Sequence, residues 1–352
     1  MDARTRLLRF FGESGSPRAR AEALVKDLEP AVLAEVFVTS AVIAGAAGIA
    51  AEQMWLMKKE GKTDFKRALE AAFTDELESL AFLSDLFITA SDKKFRSIET
   101  AASALAEAAT NEARSLADGI PLFSFLTSTI RGMQERTRFE LASKANGRIS
   151  KFTVPMYRAF DALDVVLGLD YDREEGLKAD LTSSERKFEG AGKGVQSSYA
   201  IILSLLEQLE LVSGSRFVDL GSGYGRAGLV IPFARPDLVC AGYEIIGHRV
   251  DLANESARRA GISQATSFHT QDLSDRSFAI PEAEVYYMYD PFSRETYEYV
   301  IAQLKEHGRK RPIIVVTNGR ASDWFTEAVR GDAWTKTWGR DESMLTIFRS
   351  VA

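Results

Sequence analysis

The clearest chemical pattern in the sequence lies between positions 216 and 246. RFVDL runs straight into Gly221-Ser222-Gly223-Tyr224-Gly225-Arg226, and a helical pattern follows. Spaced glycines at a strand-to-helix turn let the backbone pass close to a ligand while the helix N-terminus points at it. Asp219, at the end of the strand, can orient that loop or accept a hydrogen bond from the ligand. Glu244 falls twenty-three residues after Gly221, in VCAGYEII. An acid there is placed to bond both ribose hydroxyls of an adenosyl group. A glycine loop alone is a weak signal. Loop, preceding Asp and following acid, all in register along one sheet, form a strong one.

Two ligand classes compete for such a loop. Dinucleotide folds use G-x-G-x-x-G, whose third glycine permits close helix packing. Here Arg226 holds that position and the third glycine comes one residue early, as Gly225. A nicotinamide oxidoreductase is therefore disfavoured.

DLGSGYGR followed by GYEII resembles the first two motifs of the class I S-adenosylmethionine-dependent methyltransferases, over residues 195–350. The resemblance implies S-adenosyl-L-methionine as cofactor, held by Asp219, Gly221, Ser222, Gly223, Gly225 and Glu244. It implies that Asp272, in Gln271-Asp272-Leu273, faces the exocyclic amine of the adenine, with Leu273 in the same segment. A helix cap is the plainer role for Asp272. Gln196, Ser197 and Ser198 open the preceding helix, and in relatives that region closes over the methionine end. Its hydroxyls and helix N-terminus are thus candidates for the cofactor's carboxylate, with plain capping the alternative.

The fourth strand ends YYMYDPFS. In the family the residues after this strand lie beside the transferable methyl, which makes Asp290, Pro291 and Phe292 the candidate reactive site. Asp290 could take a proton or hydrogen bond from an amine, and Phe292 could wall off water. The plainer reading is a proline turn with an apolar plug. Phe292 stands where exocyclic-amine nucleic-acid enzymes carry a second proline, which argues against a base substrate. Loop, acid and turn together look most similar to the seven-strand, non-SET protein-lysine methyltransferases, although those usually carry Asn in place of Asp290. The expected reaction is N-methylation of a protein side chain. Small-molecule N- or O-methylation is the alternative, and a non-catalytic adenosyl-ligand-binding protein a third reading.

These residues need a sheet to position them, and the second half of the chain supplies its pattern. Strand candidates are Arg216–Leu220, Leu238–Ile246, Ala265–Gln271, Val285–Tyr289, Pro312–Thr317, Thr335–Gly339 and Met344–Arg349, with helices between the first five. That alternation predicts a doubly wound α/β sheet closed by a hairpin, the seven-strand Rossmann-like topology that the resemblance also implies. Residues 1–150 read instead as an all-α helical bundle that forms a substrate-side wall, a lid or a dimer surface. Phe65, Leu69, Phe73, Leu77, Leu80 and Leu83 recur at helical spacing within one such run. Residues 151–194 form a connector whose glycines at 190, 192 and 194 lack the Gly-Lys-Ser/Thr of a phosphate loop. The methyltransferase domain spans 195–352.

Composition narrows the partners. The chain has 352 residues, 44 basic and 50 acidic, for a net charge of −6. Neither half is basic, so nucleic acid is a disfavoured partner. One cysteine, Cys240, excludes an internal disulfide. Three histidines, His248, His269 and His307, lack zinc-site spacing, and no metal is expected. The uncharged run Val36–Ala51 is shorter than the roughly 20 residues a spanning helix needs. It reads as a buried or interface helix whose small residues Ala41 and Gly45 let a neighbour approach closely. Integral membrane placement is not expected, and a cytoplasmic location is.

Overall fold

A computed structural model describes residues 2–61, 64–74, 77–145, 159–171, 196–289, 292–338 and 345–351, the side chains of 139–145 and 338 excepted. The connector glycines at 190, 192 and 194 lie outside the described residues, as do Asp290 and Pro291. The chain divides into two compact units, residues 1–167 and 168–352.

The described residues of the first unit form α1 (Ala3–Gly12), α2 (Pro17–Val25), α3 (Pro30–Lys59), α4 (Phe65–Thr74), a 3-10 turn (Glu78–Leu83), α5 (Ser84–Ile88), α6 (Asp92–Arg114), α7 (Ile120–Ala145) and α8 (Leu163–Leu167). Pro30 opens α3 at its first position, where a missing N–H leaves no bond unmade. The apolar run of α3 packs on α6 and α7. This helix is long and apolar enough to cross a membrane by length and composition, and 61% of its most apolar window is buried within the protein. The run over 63–91 is not one helix but α4, the 3-10 turn and α5. Its spacing nonetheless marked the buried side chains, because Leu69, Phe73, Leu77, Leu80 and Leu83 all face the core. The last helix, α8, falls in the stretch expected to be connector and packs on α6.

In the second unit α9 (Tyr199–Gln208) precedes β1 (Arg216–Leu220), α10 (Arg226–Ala234), β2 (Val239–Glu244), α11 (Gly247–Arg259), β3 (Thr266–Thr270), β4 (Val285–Tyr289), α12 (Arg294–Lys310), β5 (Ile314–Asn318), α13 (Ala321–Ala328), β6 (Trp334–Trp338) and β7 (Thr346–Ser350). The sheet order is β3-β2-β1-β4-β5-β7-β6. All pairs are parallel except those of β7 with β5 and β6. Every expected strand is present within two residues. This is a doubly wound fold of the Rossmann-like kind, in which the chain runs from β1 outward to β3 and then crosses back to β4 on the other side of β1.

Strand period decides which face each residue serves. Val218, Leu220, Tyr286, Met288 and Val315 form one core with Val300, Leu304, Ala321 and Phe325 of α12 and α13. Residues one step out of phase, Phe217 and Tyr287, meet each other at 6.2 Å between ring centroids. Ligands of such sheets bind beyond the carboxyl ends of the strands, where the order reverses. Here that place lies between β1 and β4.

Candidate functional site

The glycine loop is fastened to the end of β2 first by backbone bonds. Gly221 and Ser222 N–H both donate to the Tyr243 carbonyl, at 2.8 and 2.9 Å. Gly221, Gly223 and Gly225 have φ of 86°, 55° and 80°, the left-handed region that glycine enters without steric penalty. Gly225 is the N-cap of α10.

Glu244 joins loop to strand. Its Oε2 accepts from Gly223 N–H at 2.9 Å and its Oε1 from Ile246 N–H at 3.0 Å. The Arg249 guanidinium lies 3.7 Å from Oε1, both side chains being nearly buried. A carboxylate offers about four lone-pair sites. One backbone donor on each oxygen therefore leaves each able to accept a hydroxyl. This donor-poor, acceptor-rich arrangement beside bare glycine backbone fits the vicinal hydroxyls of a ribose.

Asp219 is 6% exposed, one strand away. Burial foremost, and the charge of Glu244 second, push its carboxyl up to about 7. Near neutral pH it is thus poised between an acceptor and a neutral acid, a state that a cationic ligand would shift to the ionised form.

Phe268 of β3 sets how closely the loop lies on the sheet. A Cβ on Gly225, Gly228 or Gly242 would come within 2.5–2.9 Å of its ring. Asn254 fixes the strand beneath it through Oδ1 to Phe268 N–H and Nδ2 to the Phe268 carbonyl. Tyr224 at the tip of the loop is buried against Tyr171, with ring centroids 4.5 Å apart.

The turn before α9 reaches the loop from the other side. The Gln196 amide lies 3.1 Å from where a Cβ of Gly223 would stand. Ser198 caps α9 by accepting from Ile201 N–H at 3.2 Å. Ser197 Oγ is 2.7 Å from the Tyr287 hydroxyl.

The structure distributes the expected site residues unevenly. Gly223 meets both the Glu244 carboxylate and the Gln196 amide, Gly221 and Ser222 are tied to the end of β2, and Ser197 reaches Tyr287 of β4, the register partner of Asp219. Asp272 uses Oδ1 to accept from the Ser274 N–H and hydroxyl, so this oxygen closes its own turn. Leu273 is a core residue, 2% exposed. Phe292 is buried against Tyr297 at 5.0 Å and belongs to the core, the place the apolar-plug reading gives it. Asp290 and Pro291 lie outside the described residues. Sequence reasoning passed over Phe268, whose ring fills the space that Gly225, Gly228 and Gly242 leave, and no local signal marked it. Among the described residues no three His, Cys, Asp or Glu cluster to hold a metal ion.

No protein-family model and no curated protein matches the sequence. The chain is similar, over less than half of its length, to solved structures that include methyltransferases. One is TrmN from Thermus thermophilus, at 16% identity, covering 43% of this chain and 47% of that one, with a TM-score of 0.34. A TehB-like SAM-dependent methyltransferase from Corynebacterium glutamicum is 13% identical over 42% and 84% of the two chains, TM-score 0.32. Precorrin-6y C5,15-methyltransferase from Geobacter metallireducens is 13% identical over 45% and 91%, TM-score 0.34. The chain spans about half the length of TrmN and of YcgJ, a further similar structure, from Bacillus.

Proposed function

We propose that this protein is an S-adenosylmethionine-dependent methyltransferase acting on an amine nitrogen of a protein side chain, of the lysine type. The observation that carries the reading is Glu244. Its two oxygens are each anchored by one backbone N–H, and each keeps lone pairs for a hydroxyl beside the bare glycine loop. When bound, the cofactor supplies a methyl group activated on a sulfonium.

The chain's own residues orient and enclose. Glu244 and Arg249 fix the ribose end, the three left-handed glycines admit the ligand to within contact distance of the backbone, and Asp219 offers an acceptor to an ammonium. Transfer to a neutral amine is an in-line displacement, in which positioning accounts for much of the rate. The turn after β4, with Asp290, is the side from which the acceptor would approach. Protein as acceptor class rests on the Gly-Tyr-Glu acid together with the Asp-Pro-Phe turn.

The test is incubation of the protein and methyl-labelled S-adenosylmethionine with cell lysate, followed by separation of label into protein, nucleic-acid and small-molecule pools. Label in the protein pool, absent with Glu244→Gln, is expected. Label confined to the small-molecule pool would overturn the acceptor, and label in no pool the activity. Because Glu244 also holds the loop, the variant's melting temperature is measured alongside.

A further inference from the structure

We infer that the helical unit carries a binding site of its own, for a short apolar peptide with free ends, in the cleft where α3, α7 and the 3-10 turn meet. The site lies wholly within the first unit and is independent of the methyltransferase reading. The cleft holds about 710 Å3, within the roughly 300–1,000 Å3 typical of pockets for drug-sized ligands, the size class of a tripeptide. Two helix faces make its walls. Glu35, Val38 and Val42 recur at helical spacing on α3, and Ser128, Arg131, Gly132 and Glu135 on α7. Leu80 and Phe82 of the 3-10 turn close a third side. Val38, Val42 and Leu80 are buried and form an apolar floor.

Gly132 widens that floor. Glycine in a helix interior weakens the helix, and no contact in the chain asks for it here, since a Cβ would meet only Val38, at 3.5 Å. What the glycine keeps is space beside Val38. The rim above carries charges of both signs. Glu35, Glu78 and Glu135 are exposed carboxylates, and Arg4 and Arg131 exposed guanidinium groups. Among the described residues none of these five forms an ion pair. Arg131 and Glu135 stand four apart on one helix, the spacing at which Arg9 pairs with Glu13 and Arg18 with Glu22 elsewhere in the same unit. Arg4 lies over the Phe82 ring at 5.9 Å. The sixth charge, Arg136, is buried in the wall and donates to Ser79 Oγ at 3.4 Å, which makes it part of the frame.

That mixture selects the ligand. A group of one sign alone would meet its like across the cleft, and juxtaposed like charges are costly. A molecule with an ammonium at one end and a carboxylate at the other satisfies both sets, and an apolar body between them suits the floor. A peptide with free termini and apolar side chains has this chemistry. Arg131 takes the carboxylate, through the charge-assisted bonds that guanidinium groups make. Glu35 and Glu135, on facing helices, take the ammonium.

Calorimetric titration of the full-length protein with the tripeptide Leu-Leu-Leu, and with its N-acetyl, C-amide and doubly blocked forms, tests the site. The unblocked tripeptide should bind with a dissociation constant on the order of 100 µM or below. Each block should weaken it about tenfold, the scale of one hydrogen bond to a charged group. Arg131→Gln should narrow the gap between acid and C-amide to about twofold or less and keep the cost of N-acetylation. Glu35→Gln combined with Glu135→Gln should do the converse. All three side chains are exposed, so both variants should melt like the wild type. Four forms that bind alike, variants that weaken all four equally, or a folded wild-type protein that binds none of them overturns the inference. None of these results touches the methyltransferase reading, which stands or falls on the labelling experiment.

Discussion

Each unit has glycines inside helices, and Gly228 of the second unit and Gly132 of the first are there for opposite reasons. In α10, a Cβ on Gly228 would stand 2.8 Å from the Phe268 ring and 2.9 Å from Thr266 Oγ1. In α7, a Cβ on Gly132 would meet nothing nearer than Val38 at 3.5 Å, ordinary van der Waals contact. The first glycine is demanded by how tightly a helix lies on strands, and the second by no contact. That difference separates a unit built to hold a loop in one place from one built by stacking helices. In the sheet unit, Gly225, Gly228 and Gly242 crowd one side chain, and the distance they allow sets where Gly223 N–H meets Glu244. The helical unit offers Ala-rich faces, with Gly48 opposite only the end of the Glu99 side chain.

The largest effect is expected at Gly225→Ala. The residue sits at φ 80°, where a Cβ costs about 1–2 kcal/mol. The new methyl would also come within 2.6 Å of Phe268 and 2.9 Å of Ala253. Overpacking of this sort costs about 1–3 kcal/mol. Denaturant unfolding should show a combined loss of about 2–5 kcal/mol, and trimming Phe268 to Leu in the same chain should recover part of it, the share owed to the ring rather than to Ala253. A loss below about 1 kcal/mol would erase the contrast between the units.

Next comes the pH response of the crevice. The Asp219 carboxyl is raised from 3.8 to about 7 by burial first and by Glu244 second. Between these values the native state keeps a proton that the unfolded chain has released. Its contribution to stability is thus fully present below about pH 4, falls as pH rises, and is lost above about pH 7. Unfolding measured at pH 5 and pH 8 should show Asp219→Asn losing less stability across that interval than the wild type, by an amount on the order of 1 kcal/mol or more. An equal loss in the two proteins would mean that the burial of Asp219 is without energetic consequence.

The same contrast explains what was readable from sequence. Strands and glycine loop were legible because period-two apolar runs and left-handed turns are local properties, written within five to ten residues. Asp219 and Glu244 followed once the strands were placed, since the ends of neighbouring strands fix the site. Phe268 was not legible as the ring beneath the glycines, because it acts across strands far apart in sequence. Phe292 carried two readings that local pattern cannot separate, and its ring is packed on Tyr297 in the core. In the helical unit, the spacing of Leu69 through Leu83 showed which side chains are buried but not where the helix breaks. A 3-10 turn keeps the same residues inward, so apolar periodicity is a poor guide to the continuity of the backbone.

Gly132→Ala should have the smallest effect, and the opposite sign. Glycine in a helix interior is destabilising by roughly 0.5–1 kcal/mol relative to alanine, through the freedom of the unfolded backbone. At Gly132 the methyl would rest against Val38 at 3.5–3.8 Å without displacing it. Nothing in the native state then offsets the entropic gain, and a rise in stability of up to about 1 kcal/mol is expected. The substitution lies in the first unit and the proposed cofactor residues in the second, so S-adenosylhomocysteine affinity should not move. A destabilised Gly132→Ala would mean that α3 and α7 are held as tightly as α10 is on its sheet, and the distinction between a unit shaped to hold a glycine loop and a unit shaped by stacking would fail.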